Sequence, residues 1–130
     1  DCYNSSPQAA AAALAMLAES ASGGRTIAVL GEMLELGSVS DDEHRRVGKY
    51  AYERGIDVLV GLGEGGRAII EGARDAGFDA GSAYVFDTRE DTAAFLAGFL
   101  KKGDTLLFKA SRGVRMELVA WELGLEELRR

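Results

Sequence analysis

The sequence predicts an α/β fold in which helices cover both faces of a mostly parallel sheet. Three observations carry that expectation. Strand-length apolar runs alternate with helix-length amphipathic stretches from one end of the chain to the other. The apolar runs are continuous rather than alternating with polar residues, the pattern of strands buried on both faces. Glycine is abundant, at 17 of 130 residues against a single proline, well above its usual share of about 7%, which suits many tight junctions between strands and helices.

Each element follows from local chemistry. Ser6 is a good N-cap and Pro7 fits the first helical position, so an alanine-rich helix runs to about Ser20 with Leu14, Leu17 and Ala21 on its buried stripe. Ser22-Gly23-Gly24 ends it. Ile27 to Leu30 is a strand that runs into Gly31-Glu32-Met33-Leu34-Glu35-Leu36-Gly37. Ser40 with Glu43 forms a capping box, opening a helix that carries Val47, Tyr50, Ala51 and Arg54 at helical spacing. The unit then repeats: strand Ile56 to Val60, a glycine-rich turn, helix Arg67 to Ala76, strand Tyr84 to Phe86, helix Thr88 to Lys101, strand Leu106 to Phe108. A last helix is expected from Ser111 or Arg112, burying Met116, Val119, Ala120 and Leu123. The result is four parallel strands joined by right-handed crossovers. The chain opens on Asp1 rather than Met, in a turn-like cluster, and the expectation is a piece of a longer protein with an edge strand upstream.

At 130 residues the chain forms one domain with its own core. Its 15 basic and 21 acidic residues give a net charge of −6, which argues against holding nucleic acid or an anionic membrane by bulk electrostatics. Small anions stay open, because a few fixed donors can bind them locally. Cys2 is the single cysteine, so no intramolecular disulfide can form, and no Cys/His cluster has metal-ligand spacing. No apolar run is long enough to span a membrane and no signal peptide opens the chain. A cytoplasmic protein that binds no metal through this chain is expected.

In parallel sheets ligands bind beyond the C-terminal ends of the strands, and several motifs sit there. Gly61-Leu62-Gly63-Glu64-Gly65-Gly66 satisfies GxGxxG after a strand and before a helix, and Asp87 closes the next strand where a ribose-binding acid would belong. That is an NAD(P)-binding reading; against it, Glu64 puts a negative charge where phosphates would lie. The second feature is Lys109-Ala110-Ser111-Arg112-Gly113-Val114-Arg115-Met116-Glu117. Lys109, Arg112 and Arg115 concentrate cations in an acidic chain, and Ser111 adds a hydroxyl, a set that suits a carboxylate or phosphate. From the residues alone it is equally a solvated helix start whose arginines pair with nearby acids. Glu32 and Glu35 flank a strand end and could hold magnesium or do acid-base work, or be solvated carboxylates around buried Met33 and Leu34. His44 is the only histidine; without a visible partner it reads as a packed or capping residue. Cys2 has no basic neighbour to activate it.

Four motifs, in order, resemble one family. Asp1-Cys2-Tyr3-Asn4-Ser5-Ser6-Pro7 is similar to a D-x-Y-N-A-N-P segment that leads into an alanine-rich helix. Gly31 to Gly37 nearly reproduces a G-D-M-x-E-L-G loop, His44 to Gly48 matches H-x-x-V-G, and Lys109 to Glu117 meets K-G-S-R-x-x-x-M-E. These are motifs of the Mur ligase family, in its D-alanyl-D-alanine-adding branch, and they extend from the first residue to about Val119. Other amide ligases of the Mur and folylpolyglutamate synthase group are near neighbours.

The resemblance implies the C-terminal, Rossmann-like domain of a three-domain cytoplasmic enzyme, expected to act as a monomer. Such enzymes use ATP and Mg2+ to convert the terminal carboxylate of UDP-N-acetylmuramoyl-tripeptide into an acyl phosphate, which the amine of D-alanyl-D-alanine attacks. The phosphate-binding loop, metal ligands and UDP-sugar site belong to the other two domains, and no G-x-x-x-x-G-K-[ST] occurs here. Carried over by motif, Asp1, Tyr3, Asn4 and Glu32 would face nucleotide. Lys109, Ser111 and Arg112 would face the dipeptide, with Lys109 and Arg112 at the reacting phosphate. Three departures stand out: Ser5-Ser6 for Ala-Asn, Glu32 for aspartate, and Ala110 for glycine.

Overall fold

The computed structural model describes residues 7–20, 23–31, 33, 40–109 and 117–120. Helix α1 (Pro7–Ser20) leads into strand β1 (Thr26–Leu30), followed by α2 (Ser40–Glu53), β2 (Val58–Leu62), α3 (Gly63–Ala76), β3 (Ala83–Phe86), α4 (Arg89–Phe99), β4 (Thr105–Lys109) and β5 (Glu117–Ala120). A 3-10 turn, Ala80–Ser82, precedes β3. The sheet order is β3-β2-β1-β4-β5. The first four strands run parallel, as the sequence predicts, and β5 pairs antiparallel with β4.

Alternation along the strands divides the core in two. Ala28, Leu30, Leu59, Ala83 and Leu107 face one side, where Leu14 and Leu17 of α1, Val47 and Ala51 of α2, and Ile69, Ile70 and Ala73 of α3 cover them. Ile27, Val29, Val58, Val60 and Leu106 face the other, against Leu96 of α4 and a partly buried aromatic group, Tyr84, Phe86, Phe95 and Phe99. Tyr84 and Phe95 pack with ring centroids 4.6 Å apart, Phe95 and Phe99 at 4.7 Å. Helix α4 is started by Thr88, whose Oγ1 accepts the Asp91 N–H at 3.0 Å.

Helices α2 and α3 pack closely because glycine faces backbone at both contacts. A Cβ on Gly48 would collide with the Ile69 carbonyl, and one on Gly72 with the Arg45 main chain. This explains the glycine of the His44 to Gly48 motif as a helix-crossing residue.

Three sequence expectations are corrected. Residues 117–120 form a strand rather than part of a helix: Leu118 pairs with Leu107 and Val119 with Leu106. The helical spacing of Met116, Val119 and Ala120 is misleading because an apolar run this short fits either period, and pairing gives β4 a neighbour on its open side. Leu123, Met116 and the proposed helix start lie outside the described residues, as does Ala21. The second strand begins two residues later than expected, because the Asp57 carboxylate accepts the Thr26 N–H and Oγ1–H at 2.8 and 3.0 Å and holds the chain in a turn. The glycine-rich turn is also shorter than expected. Strand β2 continues to Leu62, and α3 opens at Gly63 with Gly65 and Gly66 buried inside the helix.

Candidate functional site

The topology places the site. From β1 the chain steps outward through β2 to β3, with α2 and α3 on one face; α4 then carries it back across the other face to β4, on the opposite side of β1. The strand order therefore reverses between β1 and β4, and the crevice beyond their C-terminal ends is where open α/β sheets bind ligands.

Two of the predicted motifs meet there. Leu30 and Lys109, the last residues of β1 and β4, are register partners, and the Gly31 N–H donates to the Lys109 carbonyl at 2.9 Å. The start of the Gly31 to Gly37 loop and the start of the Lys109 to Glu117 segment are thus side by side, though far apart in sequence. The Lys109 side chain is 4% exposed, and lysine is seldom buried to that degree unless its ammonium is paired. Met33 is also buried, in the core formed by α1, α2 and α3. Its N–H donates to Nε2 of His44 at 2.8 Å, and His44, in the first turns of α2, is 1% exposed. The sequence shows His44 only as a packed residue. Its partner is a backbone N–H, and a main-chain donor leaves no trace in a motif.

Helix α1 begins toward the same edge. Its C-terminal end is joined to the start of β1 and it lies over β1 and β4, so its first residue, Pro7, is at the far end, toward the crevice. Ala10 belongs to the same core as Met33. Asp1, Tyr3, Asn4, Glu32, Ser111 and Arg112, along with Cys2, Glu35 and Arg115, lie outside the described residues. Of the predicted site, the structure positions Lys109.

Packing accounts for two glycines of the GxGxxG run. Gly61 and Gly66 face each other across the β2–α3 junction, where a Cβ on either would meet the other's backbone, and a Cβ on Gly66 would also lie 3.0 Å from the Leu30 carbonyl. These contacts are the close strand–helix packing of a βα junction, which a dinucleotide site and a plain turn share; open space surrounds Gly63, the glycine a pyrophosphate would approach, and the Glu64 carboxylate next to it in the chain opposes a phosphate there. Gly63 alone of this run has a left-handed φ, 77°. Asp87 is exposed and pairs with Arg67 at 3.4 Å. Two clefts lie apart from Lys109 and Gly31. One of about 400 Å³ runs between α1 and α2, past Gln8, Arg46 and Tyr50. The other, about 620 Å³, lies at the N-terminal ends of the strands beside Arg25, Asp57 and Tyr84. Neither touches Lys109 or Gly31, and the strand order and hydrogen bonding identify the site better than concavity does. Among the described residues no group of three or more His, Cys, Asp or Glu could hold a metal ion, and no helix is long and apolar enough to cross a membrane.

Comparison with known proteins agrees with this architecture. Residues 1–112 match the family model of the Mur ligase, glutamate ligase domain. The UDP-N-acetylmuramoyl-tripeptide--D-alanyl-D-alanine ligase of Bacillus subtilis is 36% identical over 124 residues, 95% of this chain and 27% of that protein. The ligase of the same name from Mycobacterium leprae is 36% identical over 135 residues, 92% of this chain and 26% of that protein. Among solved structures, MurF from Acinetobacter baumannii superposes with a TM-score of 0.72 at 29% identity, covering 86% of this chain and 24% of that one. MurF from Thermotoga maritima in complex with ADP gives 0.67 at 31% identity, covering 88% and 25%. The chain spans about a quarter of the length of these relatives. On a family match that runs through both strands of the switch point, the chain belongs to the Mur ligase, glutamate ligase domain family.

Proposed function

We propose that this chain is the C-terminal domain of an ATP-dependent ligase that adds D-alanyl-D-alanine to UDP-N-acetylmuramoyl-tripeptide. The observation that carries the reading is the meeting of Gly31 and Lys109 at the strand-order reversal, in a chain similar along 95% of its length to a ligase of that name. The whole protein would have three domains and act as a cytoplasmic monomer. Mg2+ and the phosphate-binding loop would belong to the other two domains.

Within this division of labour, Asp1, Tyr3, Asn4 and Glu32 would face the nucleotide. Lys109, Ser111 and Arg112 would hold the dipeptide carboxylate and the phosphate of the acyl phosphate. Closure of the domain over its neighbour would remove water from this edge, which strengthens a charged contact there. The amine of the dipeptide attacks the acyl carbon; a C–N bond forms, the C–O bond breaks with its electron pair leaving on the phosphate, and the proton of the attacking amine passes to water. Cations beside the departing phosphate stabilise the charge it carries away.

The test is phosphate release by the full-length protein supplied with ATP, Mg2+ and UDP-N-acetylmuramoyl-tripeptide. Release that depends on D-alanyl-D-alanine supports the reading. Dependence on a different amino acid, with none on the dipeptide, would move the chain to another branch of the family.

A further inference from the structure

We propose that His44 is a positioning residue for the nucleotide edge of the site, acting through the peptide N–H of Met33. The proposal rests on the reading above that Glu32 faces the nucleotide. The main chain is tied on each side of position 32. On one side the Gly31 N–H donates to the Lys109 carbonyl at 2.9 Å. On the other the Met33 side chain is 3% exposed within the core, and its N–H donates to His44 Nε2 at 2.8 Å.

These ties do different work. Burial of the Met33 side chain fixes where the loop lies but leaves its peptide free to turn, since apolar contact is non-directional. The hydrogen bond sets the plane of that peptide, and a buried backbone N–H requires a partner. His44 meets the requirement because Nε2 accepts, which places the ring proton on Nδ1. It sits at the start of α2, a helix held to α3 through the Gly48 and Gly72 contacts, so the acceptor stands on a rigid element. Main chain held at Gly31 and at Met33 has less freedom to lose when a nucleotide binds beside it.

Two amide variants separate positioning from packing, because they differ only in where the acceptor oxygen falls. In His44→Gln, Oε1 is as many bonds from Cα as Nε2; in His44→Asn the oxygen stops at the reach of Nδ1. In the full-length protein, His44→Asn should raise the KM for ATP by about tenfold, the equivalent of one buried hydrogen bond. Its kcat at saturating ATP and its KM for the dipeptide should stay within about twofold, and His44→Gln should recover most of the ATP effect. Val47→Ala, a packing change on the same helix, should lower stability and leave the KM for ATP in place. Equal ATP defects in the Asn and Gln variants would overturn the proposal. So would a normal KM in His44→Asn beside a raised one in Glu32→Ala. An unchanged KM in both His44→Asn and Glu32→Ala would instead overturn the nucleotide reading itself, and the proposal with it. Nitrogen-15 spectroscopy of the unmodified protein supplies a measurement independent of any variant: an Nδ1–H tautomer is expected, and an Nε2–H tautomer overturns the proposal.

Discussion

Arg25 and Asp104, 79 positions apart in sequence, form a two-pronged ion pair at the N-terminal ends of β1 and β4, with Nε–Oδ1 at 2.9 Å and Nη2–Oδ2 at 2.7 Å. Asp104 is 2% exposed and also accepts the Lys101 N–H at 2.8 Å. Nη2 of Arg25 donates to the Phe99 carbonyl at 2.9 Å, and the guanidinium lies 4.3 Å from the centre of the Phe99 ring. The two strands that carry the candidate site at one end are thus clamped together at the other.

Removing Arg25 should therefore destabilise the fold without touching the chemistry. Arg25→Ala leaves the Asp104 carboxylate buried with only the Lys101 N–H. A loss of about 2–3 kcal/mol is expected, below the full penalty for a buried pair because Arg25 is itself partly exposed. Urea unfolding of the variant checks this. A change below about 0.5 kcal/mol would show that water replaces the guanidinium.

The same pair sets an acid limit. Burial pushes the Asp104 carboxyl up, but the Arg25 hydrogen bonds, the Lys101 N–H and the Arg25 charge together hold it below the ordinary aspartate range. A carboxyl lowered in the folded state contributes stability above its unfolded value of about pH 4, and loses it as pH falls through the folded value. Stability should decline below about pH 4, and Asp104→Asn should flatten that limb. An identical acid profile in the variant would assign the decline to other carboxylates.

Glycines in two helices should respond in opposite directions to alanine. Gly48→Ala drives a methyl into the Ile69 carbonyl and should cost about 1–3 kcal/mol as α2 and α3 separate. Gly98, in α4, has open space where a methyl would stand, with nothing within 4 Å, so Gly98→Ala should stabilise by about 0.5–1 kcal/mol through helix propensity. Thermal melts of both variants decide it. A stabilising Gly48→Ala would contradict the close crossing.

Nicotinamide cofactors should not bind at Gly61 to Gly66, since Glu64 follows Gly63, the glycine a pyrophosphate would approach, and its carboxylate opposes a phosphate there. Isothermal titration with NAD and NADP is expected to give no heat of specific binding. A micromolar constant abolished by Gly63→Val would restore the dinucleotide reading.

The four parallel strands and their helices were legible because four continuous apolar runs alternate with helix-length amphipathic stretches. Residues 117–120 were misread because four apolar-rich residues fit helix or strand equally, and only the open side of β4 decides between them. The motif singled out Lys109. Its nearness to Gly31 was not legible, because it follows from β4 returning beside β1 rather than beside β3. The tie between His44 and Met33 was invisible for a different reason: every residue but proline carries a backbone N–H, so no sequence pattern marks the one that is bonded.

In the full-length protein, Lys109 and Arg112 should matter to chemistry in a way that Arg115 does not. Lys109 closes β4 at the strand-order reversal, bonded through its carbonyl to the loop that leaves β1. Arg112 occupies the arginine of the K-G-S-R-x-x-x-M-E motif, whereas Arg115 falls at a position the motif leaves open. On the proposed reading, a dipeptide carboxylate or acyl phosphate held by Arg112 would be desolvated on closure, so each charged hydrogen bond would be worth about 1.5–3 kcal/mol. Arg112→Ala should lower kcat/KM for D-alanyl-D-alanine by at least about tenfold. A fall in kcat as well would mean that the contact tightens as charge develops on the phosphate. Lys109→Met keeps an unbranched apolar stem in the buried position and removes the charge, so folding should survive better than activity. Arg115→Ala should stay within about threefold of the unmodified enzyme, under 1 kcal/mol. Equal losses at the two arginines, or unmodified kinetics in Arg112→Ala, would mean that this segment is a solvated stretch of cations and that the dipeptide is bound elsewhere.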